Sequence, residues 1–117
     1  MSVCVRFGLV AMAASLLVSC PAMAASAENG KVAFVKNGCW QCHGFEGQGS
    51  VATSGGRVIA KTQLPFEAFK AFVRNSNGEM PPFREQMLSD TDLADIYAYL
   101  ESLPAPQPTS EIPLLKQ

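Results

Sequence analysis

Apolar residues recur at helical spacing in three stretches of the chain, and segments rich in glycine, proline and polar residues separate them. The first stretch runs from Glu28 to about Asn37 and includes Val32 to Val35, with Gly38 placed to end a helix. Gly30 lies inside it, where glycine costs about 1 kcal/mol relative to alanine. We therefore expect either a second helix that crosses closely at Gly30 or fraying near the helix start.

Two further helices are predicted in the second half of the chain. Pro65 suits the first turn of a helix that runs to Asn75, and Ser89 is the expected N-cap of a last helix that Pro104 stops. No alternating apolar pattern typical of β-strands occurs in the chain. The expected apolar positions are Phe66, Phe69, Phe72 and Val73 in the first of these helices and Leu93, Ile96, Tyr97, Leu100 and Leu103 in the second.

The first 24 residues have the pattern of a signal peptide. Arg6 precedes an apolar run from Phe7 to Val18, and Ala22-Met23-Ala24 has the small residues that signal peptidase requires, so cleavage is expected after Ala24. The apolar run is shorter than the roughly 20 residues of a membrane span. The alternative is acylation at Cys20, which would hold the protein at a membrane surface.

Length and charge limit what the remaining chain can be. After cleavage about 93 residues remain, so we expect one domain over 25–103 and a proline-rich, flexible tail over 104–117. The whole chain has 9 basic and 10 acidic residues, without a basic cluster, and nucleic-acid binding is therefore not expected. A domain this small is marginally stable on its own core, so covalent or metal cross-links are expected to stabilise it.

The segment Cys39-Trp40-Gln41-Cys42-His43 has the attachment signature of a c-type haem, in which two cysteine thioethers fix the porphyrin and the histidine ligates iron. His43 is the only histidine in the sequence, so it is the one imidazole candidate. A zinc site would lack a fourth ligand, a thioredoxin-like pair would lack its βαβ context, and a simple disulfide would leave His43 unexplained. We therefore predict one covalent haem c, on which the phenylalanines of the helix after Pro65 can pack.

Met80-Pro81-Pro82-Phe83 supplies the second predicted iron ligand. A thioether is a soft, neutral ligand that suits haem iron, and two prolines directly after it stiffen the segment. Met87 is the alternative ligand, but it lacks that rigidity and is expected in the core. The glycine-rich segment from Gly44 to Leu64 is predicted to be an irregular loop around the haem edge, since it lacks the ending of a phosphate-binding loop.

Four elements follow one another along the chain: Gly30-x-x-x-Phe34, the attachment motif at 39–43, Gly78-x-Met80-Pro81 and Leu93-Ala94-Asp95-Ile96-Tyr97-Ala98-Tyr99-Leu100. In this order they resemble class I bacterial cytochromes c, over nearly all of the expected mature chain except its tail. The resemblance implies a small all-α cytochrome c fold, with three to four helices wrapped around one covalent haem. It also implies that His43 and Met80 are the axial ligands, and that the first and last helices cross where Gly30 meets Ile96 or Tyr97.

One stretch departs from the family pattern. Family members often carry Gly-Pro-x-Leu after the haem motif, where the proline carbonyl accepts a hydrogen bond from the histidine, and here Gly55-Gly56-Arg57-Val58 stands in that place. A glycine carbonyl is expected to accept the same bond from a less fixed backbone. Arg57 and Arg74 are candidate partners of the haem propionates, and plain surface exposure is the alternative for both.

The resemblance implies a periplasmic electron carrier that is not an enzyme, because two filled axial positions leave no open site for a substrate. The expected partners are a flavoprotein or quinoprotein dehydrogenase and an oxidase. A dedicated subunit of such a dehydrogenase is preferred, and a freely diffusing carrier is the alternative. A five-coordinate haem protein, acting as a ligand sensor or a peroxidase-like enzyme, would require a weak or absent bond from Met80.

Overall fold

The computed structural model describes residues 24–50 and 56–115. Within these ranges the chain forms four α-helices and no β-strand, which confirms the predicted all-α fold. The predicted signal peptide up to position 23, with the acylation candidate Cys20, lies outside the described residues, as does Gly55. The helices are α1 (Ala27–Lys36), α2 (Trp40–His43), α3 (Phe66–Asn75) and α4 (Asp90–Ser102).

Helix α1 begins and ends at signals that its sequence contains. Ser26 is the N-cap, and its hydroxyl accepts a hydrogen bond from the Asn29 N–H at 3.3 Å. Glu28 in the first turn and Lys36 in the last complement the helix dipole. Gly38 follows with a φ of 74°, a left-handed conformation that glycine adopts without steric cost. The helix thus begins and ends one residue earlier than predicted.

Helices α1 and α4 cross at Gly30. A Cβ atom at this position would lie only 1.9 Å from the Asp95 carbonyl oxygen and 2.9 Å from the Ile96 nitrogen, so a side chain cannot be accommodated. Next to the crossing, the Ser26 N–H donates to Asp95 Oδ1 at 2.7 Å and gives this buried carboxylate a partner. The predicted crossing at Gly30 is therefore confirmed.

The core lies between α1, α3 and α4. Phe69 and Val73 of α3 are buried as predicted, whereas Phe72 is 58% exposed and lies outside the core. Tyr99 is buried although it was not among the predicted apolar positions, and its ring packs on Phe34 with centroids 5.7 Å apart. The side chains with almost no exposure are Phe34, Leu88, Leu93 and Leu100.

Helix α4 begins at a capping residue, and the tail that follows it contains short helical turns. Ser89 is its N-cap, as predicted, and the Ser89 hydroxyl accepts a hydrogen bond from the Asp92 N–H at 3.0 Å. After the helix, the tail that was expected to be extended contains two single-turn 3₁₀ helices, Thr109–Glu111 and Pro113–Leu115. None of the helices in the described ranges is long and apolar enough to cross a bilayer.

Candidate haem site

The attachment motif folds as one helical turn. Cys39 is the N-cap of α2, and the His43 N–H donates to the Cys39 carbonyl oxygen at 3.0 Å. Residues four apart on a helical turn share a face, and Cys39 and His43 both line one cavity. Cys42 is exposed, does not line that cavity and, like Cys39, is a free thiol in the described structure.

A hydrogen bond orients the ring of His43. Its Nδ1 atom lies 2.8 Å from the carbonyl oxygen of Arg57. Because a carbonyl can only accept, Nδ1 carries the hydrogen, and the lone pair is left on Nε2, where it can ligate a metal. The expectation of a glycine acceptor is wrong by one residue. Gly56-Arg57 therefore stands where the family has Gly-Pro. The Arg57 carbonyl accepts the hydrogen bond from the histidine that the proline carbonyl accepts in the family.

Gly47 holds the loop that delivers the Arg57 carbonyl. The Gly47 carbonyl oxygen accepts hydrogen bonds from the N–H groups of Ile59 at 2.8 Å and Ala60 at 3.0 Å. Gly47 has a φ of 63°, and a Cβ atom there would lie 3.0 Å from the Ala60 nitrogen. Glycine is thus required twice at this position, for its backbone conformation and for the close approach.

Lys61 ties the same loop to the C-terminal end of α4. The Lys61 N–H donates to the Leu100 carbonyl oxygen at 2.8 Å, and Lys61 Nζ donates to the Glu101 carbonyl oxygen at 2.7 Å. These carbonyls belong to the last turn of the helix, where the helix dipole attracts cations, and the Leu100 carbonyl also accepts from the Leu103 N–H at 3.3 Å. The loop around His43 is therefore connected to the helix that crosses α1.

The cavity has a volume of about 890 Å³, which is within the range of sites for large cofactors. Its walls come from α1, α3, α4 and the segments between them, and most of the lining side chains are apolar. Phe72, which lies outside the core, is on this wall. Apolar lining residues include Phe34, Phe69, Phe72, Leu88, Leu93 and Leu100.

The two candidate methionines differ in position. Met80 is half-buried, packs against the core and lines the cavity. Met87 is 66% exposed and does not line the cavity, so the expectation that it packs in the core is wrong. Met87 lies in a turn closed by its N–H and the Arg84 carbonyl oxygen at 2.9 Å, and the next residue, Leu88, takes the buried position.

The surroundings of Cys39 suit an uncharged sulfur. Burial raises the pKa of the Cys39 thiol from 9.0 to about 11. The described residues contain no cluster of three or more Cys, His, Asp or Glu side chains that could hold a metal ion. A carbon-bound sulfur is uncharged and suits this apolar wall.

The two arginines predicted as propionate partners also differ. Arg57 is exposed and lines the cavity. Arg74 does not line it, and its guanidinium donates to the Phe83 carbonyl oxygen and to the Asp90 carboxylate, both at 2.7 Å. The role of Arg74 as a propionate partner stays a prediction, and two of its donors bond within the protein.

Aromatic contacts that were not predicted from the sequence lie outside the cavity, at α2 and the residues that follow it. Trp40 stacks on Phe45, with centroids 4.5 Å apart and planes inclined by 9°, and the Tyr99 hydroxyl donates to the Phe45 carbonyl oxygen at 2.9 Å. Burial, with a smaller effect of the Glu46 charge, raises the pKa of Tyr99 and keeps this donor protonated. Phe45 and Tyr99 are 54 positions apart, so no local pattern could have revealed the contact.

These residues fit a covalently bound haem. Cys39, His43 and Met80 line one apolar cavity, and the tautomer of His43 leaves Nε2 free for iron. The family model described as cytochrome c oxidase, cbb3-type, subunit III matches residues 25–100, which is more than half of the chain and includes α1, α2, α3 and most of α4. No curated protein and no solved structure matches the chain.

Proposed function

Since the chain belongs to the family described as cytochrome c oxidase, cbb3-type, subunit III, and is a c-type cytochrome that transfers electrons, we propose that it does so through one haem c with His43 and Met80 as axial ligands. Cys39 and Cys42 would form the thioether bonds. The observation that carries the proposal is that Cys39, His43 and Met80 line the same cavity. A single haem is supported by the single histidine of the sequence.

The bound iron supplies one-electron chemistry by alternating between its ferric and ferrous states. The Arg57 carbonyl keeps the hydrogen on Nδ1 of His43 and so presents Nε2 as a ligand. Met80 supplies a neutral sulfur, which raises the reduction potential relative to two nitrogen ligands. With iron held by both His43 and Met80, no ligand position would remain for a substrate, and the protein would carry electrons without transforming one.

The exposed side of the motif suits electron exchange with another protein. Cys42 is exposed, and Trp40, which stacks on Phe45, belongs to the same helical turn as Cys42. Redox partners such as oxidase complexes accord with the family. We propose a periplasmic flavoprotein or quinoprotein dehydrogenase as the donor and an oxidase as the acceptor, and isolation of the cytochrome in a stable complex would distinguish a fixed subunit from a free carrier.

The cellular location follows in part from the family. As a c-type cytochrome the protein is exported. We propose the periplasm, with a signal peptide cleaved after Ala24, and membrane attachment only if Cys20 is acylated. Mass spectrometry of the mature N-terminus tests this, since cleavage after Ala24 and acylation at Cys20 leave different first residues.

The first experiment compares two methionine variants of the exported protein. Haem that survives a denaturing gel, a low-spin ferrous spectrum and the ferric sulfur-to-iron absorption band are expected in the wild type. Met80→Ala should abolish the band and keep the covalent haem, because a thioether ligand is lost while the cysteines remain. Met87→Ala is the matched control and should keep the band, since Met87 is 66% exposed and away from the cavity.

Other results would assign another function. A high-spin ferrous spectrum with rapid carbon monoxide binding in the wild type would indicate a five-coordinate sensor or peroxidase-like enzyme, with Met80 not ligated. A colourless protein would contradict haem attachment altogether.

A further inference from the structure

The segment after Met80 is held at Phe83 by the end of α3. The Phe83 N–H donates to the Val73 carbonyl oxygen at 2.9 Å, and Arg74 Nη1 donates to the Phe83 carbonyl oxygen at 2.7 Å. Both backbone groups of one residue are therefore bound by two consecutive residues of α3. Only Pro81 and Pro82 lie between Phe83 and Met80, and the fixed φ of each proline restricts how far Met80 can move when Phe83 is held.

Arg74 joins this point to a third segment. Its Nη2 donates to Asp90 Oδ1 at 2.7 Å, while Lys70 Nζ contacts Asp90 Oδ2 at 2.5 Å. Asp90 is the first residue of α4. The Arg74 side chain is only 14% exposed, against 32% for Lys70 and 47% for Asp90. Of Arg74, Lys70 and Asp90, Arg74 is therefore the most shielded from solvent. A hydrogen bond from a shielded charged donor contributes more to stability than one from an exposed donor.

We infer that Arg74 is a positioning residue for the Met80 ligand, and that it holds the thioether in place by fixing Phe83 against α3 and α4. The inference rests on the proposed ligation by Met80. A guanidinium suits this task because its planar fork serves two acceptors at once, whereas the single ammonium of a lysine cannot bond both in the same geometry.

The test compares the stability of the sulfur–iron bond with that of the whole fold. Urea titrations of the ferric holoprotein would follow the sulfur-to-iron band and the far-ultraviolet helix signal in the wild type and in Arg74→Gln. In Arg74→Gln the band should disappear at a clearly lower urea concentration than the helix signal, because the Met80 segment opens locally. The affinity of added imidazole for the sixth iron position should rise about tenfold or more, the factor that corresponds to one lost charge-assisted hydrogen bond.

Lys61→Met is the matched control. Lys61 Nζ also donates to a backbone carbonyl, that of Glu101, but it lies at the other end of α4 and has no contact with the Met80 segment in the described structure. This variant removes only the Nζ bond and keeps the Lys61 N–H bond to the Leu100 carbonyl, so it should shift the two urea midpoints together and leave imidazole affinity unchanged. Arg74→Lys should give an intermediate gap, and it keeps the test available if Arg74→Gln does not fold.

Each outcome distinguishes the inference from the proposed function. A wild type without the sulfur-to-iron band would overturn Met80 ligation and the role of Arg74 with it. If the wild-type band is present but Arg74→Gln and Lys61→Met behave alike, Arg74 is only a structural residue and the inference is wrong. A selective loss of the band in Arg74→Gln supports it, because a purely structural role lowers both signals together.

Discussion

His43 and Met80 line the same cavity but lie on different kinds of backbone. We call residues 39–61 the proximal region and residues 76–90 the distal region. In the proximal region, His43 closes a helical turn on Cys39 and its own ring has an acceptor, the Arg57 carbonyl. In the distal region, Met80 lies outside any helix, and two hydrogen bonds hold the backbone three residues later at Phe83.

The difference indicates which side of the cavity opens more easily. A local opening has to break only the contacts of the segment that moves. On the proximal side these include the two bonds to the Gly47 carbonyl and the Lys61 contacts with α4. On the distal side they include the two bonds at Phe83, one of them from Arg74. We therefore expect exchange of the axial ligand to begin at Met80.

Gly30→Ala should have the largest effect, because it disturbs the crossing of α1 and α4, and both of these helices line the cavity. The new methyl group would lie 1.9 Å from the Asp95 carbonyl oxygen, so α1 and α4 must separate by about 1 Å. Alanine gains about 1 kcal/mol in helix propensity, but overpacking against backbone costs about 3 kcal/mol or more. A net loss of about 2 kcal/mol or more in the free energy of unfolding is expected from urea titration.

In Gly30→Ala the proximal and distal regions should no longer differ in how easily they open. The sulfur-to-iron band and the helix signal should disappear together, at a lower urea concentration than in the wild type, because the common support of the cavity fails. Val32→Ala on the same helix is the control. Val32 is 67% exposed, so its truncation should change stability by less than about 0.5 kcal/mol. An unchanged midpoint for Gly30→Ala would contradict the close crossing.

Local signals in the sequence predicted the parts of the site that depend on nearby residues. A few neighbouring residues were enough to predict each of three features: the attachment motif, the N-cap at Ser89 and the close helix crossing at Gly30. The acceptor of the His43 ring was predicted one residue too early, at Gly56 instead of Arg57. A hydrogen bond to a backbone carbonyl depends on the path of the loop, and the side chains that flank the acceptor do not specify that path.

The partners of the Arg74 side chain, too, could not be predicted from neighbouring residues in the sequence. Its charge suggested a propionate, but its acceptors are a backbone carbonyl at Phe83 and a carboxylate at Asp90, which the folded chain brings to the end of α3. Met87 was placed in the core because methionine often fills cores. In the structure, a turn that begins at Arg84 leaves Met87 exposed and buries the adjacent Leu88 instead.

Gly47→Ala should loosen the proximal region alone. An alanine at a φ of 63° costs about 1–2 kcal/mol, and its Cβ would press on the Ala60 nitrogen at 3.0 Å. The Arg57 carbonyl is then held less firmly, so the His43 Nδ1 hydrogen of the reduced holoprotein should exchange faster with solvent, as measured by NMR. Without denaturant the sulfur-to-iron band of the oxidised protein should be unchanged, because the distal contacts are intact.

Gly38→Ala provides the matched comparison for Gly47→Ala. Gly38 has a similar φ of 74°, but a Cβ there meets only the flexible Gln41 side chain, at 3.3 Å. Both variants carry the backbone cost, and only Gly47→Ala should also accelerate exchange at His43. Equal exchange rates in the two variants would show that the Gly47 carbonyl does not control the ring.

Asp90→Asn should have the smallest effect and should act on the distal region through pH. The hydrogen bond from Lys70, and next the one from Arg74, hold the pKa of Asp90 below its ordinary value of 3.8. The unfolded chain therefore binds a proton at a higher pH than the folded chain does. The contribution of Asp90 to stability is complete above pH 3.8 and is lost as the pH falls through the lower folded-state pKa.

The asparagine variant lacks this contribution at every pH, so its stability should depend less on pH in the acid range. The measurement is the urea midpoint of the sulfur-to-iron band at about pH 7 and about pH 3 in the wild type and in Asp90→Asn. Asp92→Asn is the control, since Asp92 lies in the same helical turn without those two donors in the described structure. If wild type and Asp90→Asn lose the same stability on acidification, the carboxylate does not support the distal region, and the guanidinium of Arg74 must act through Phe83 alone.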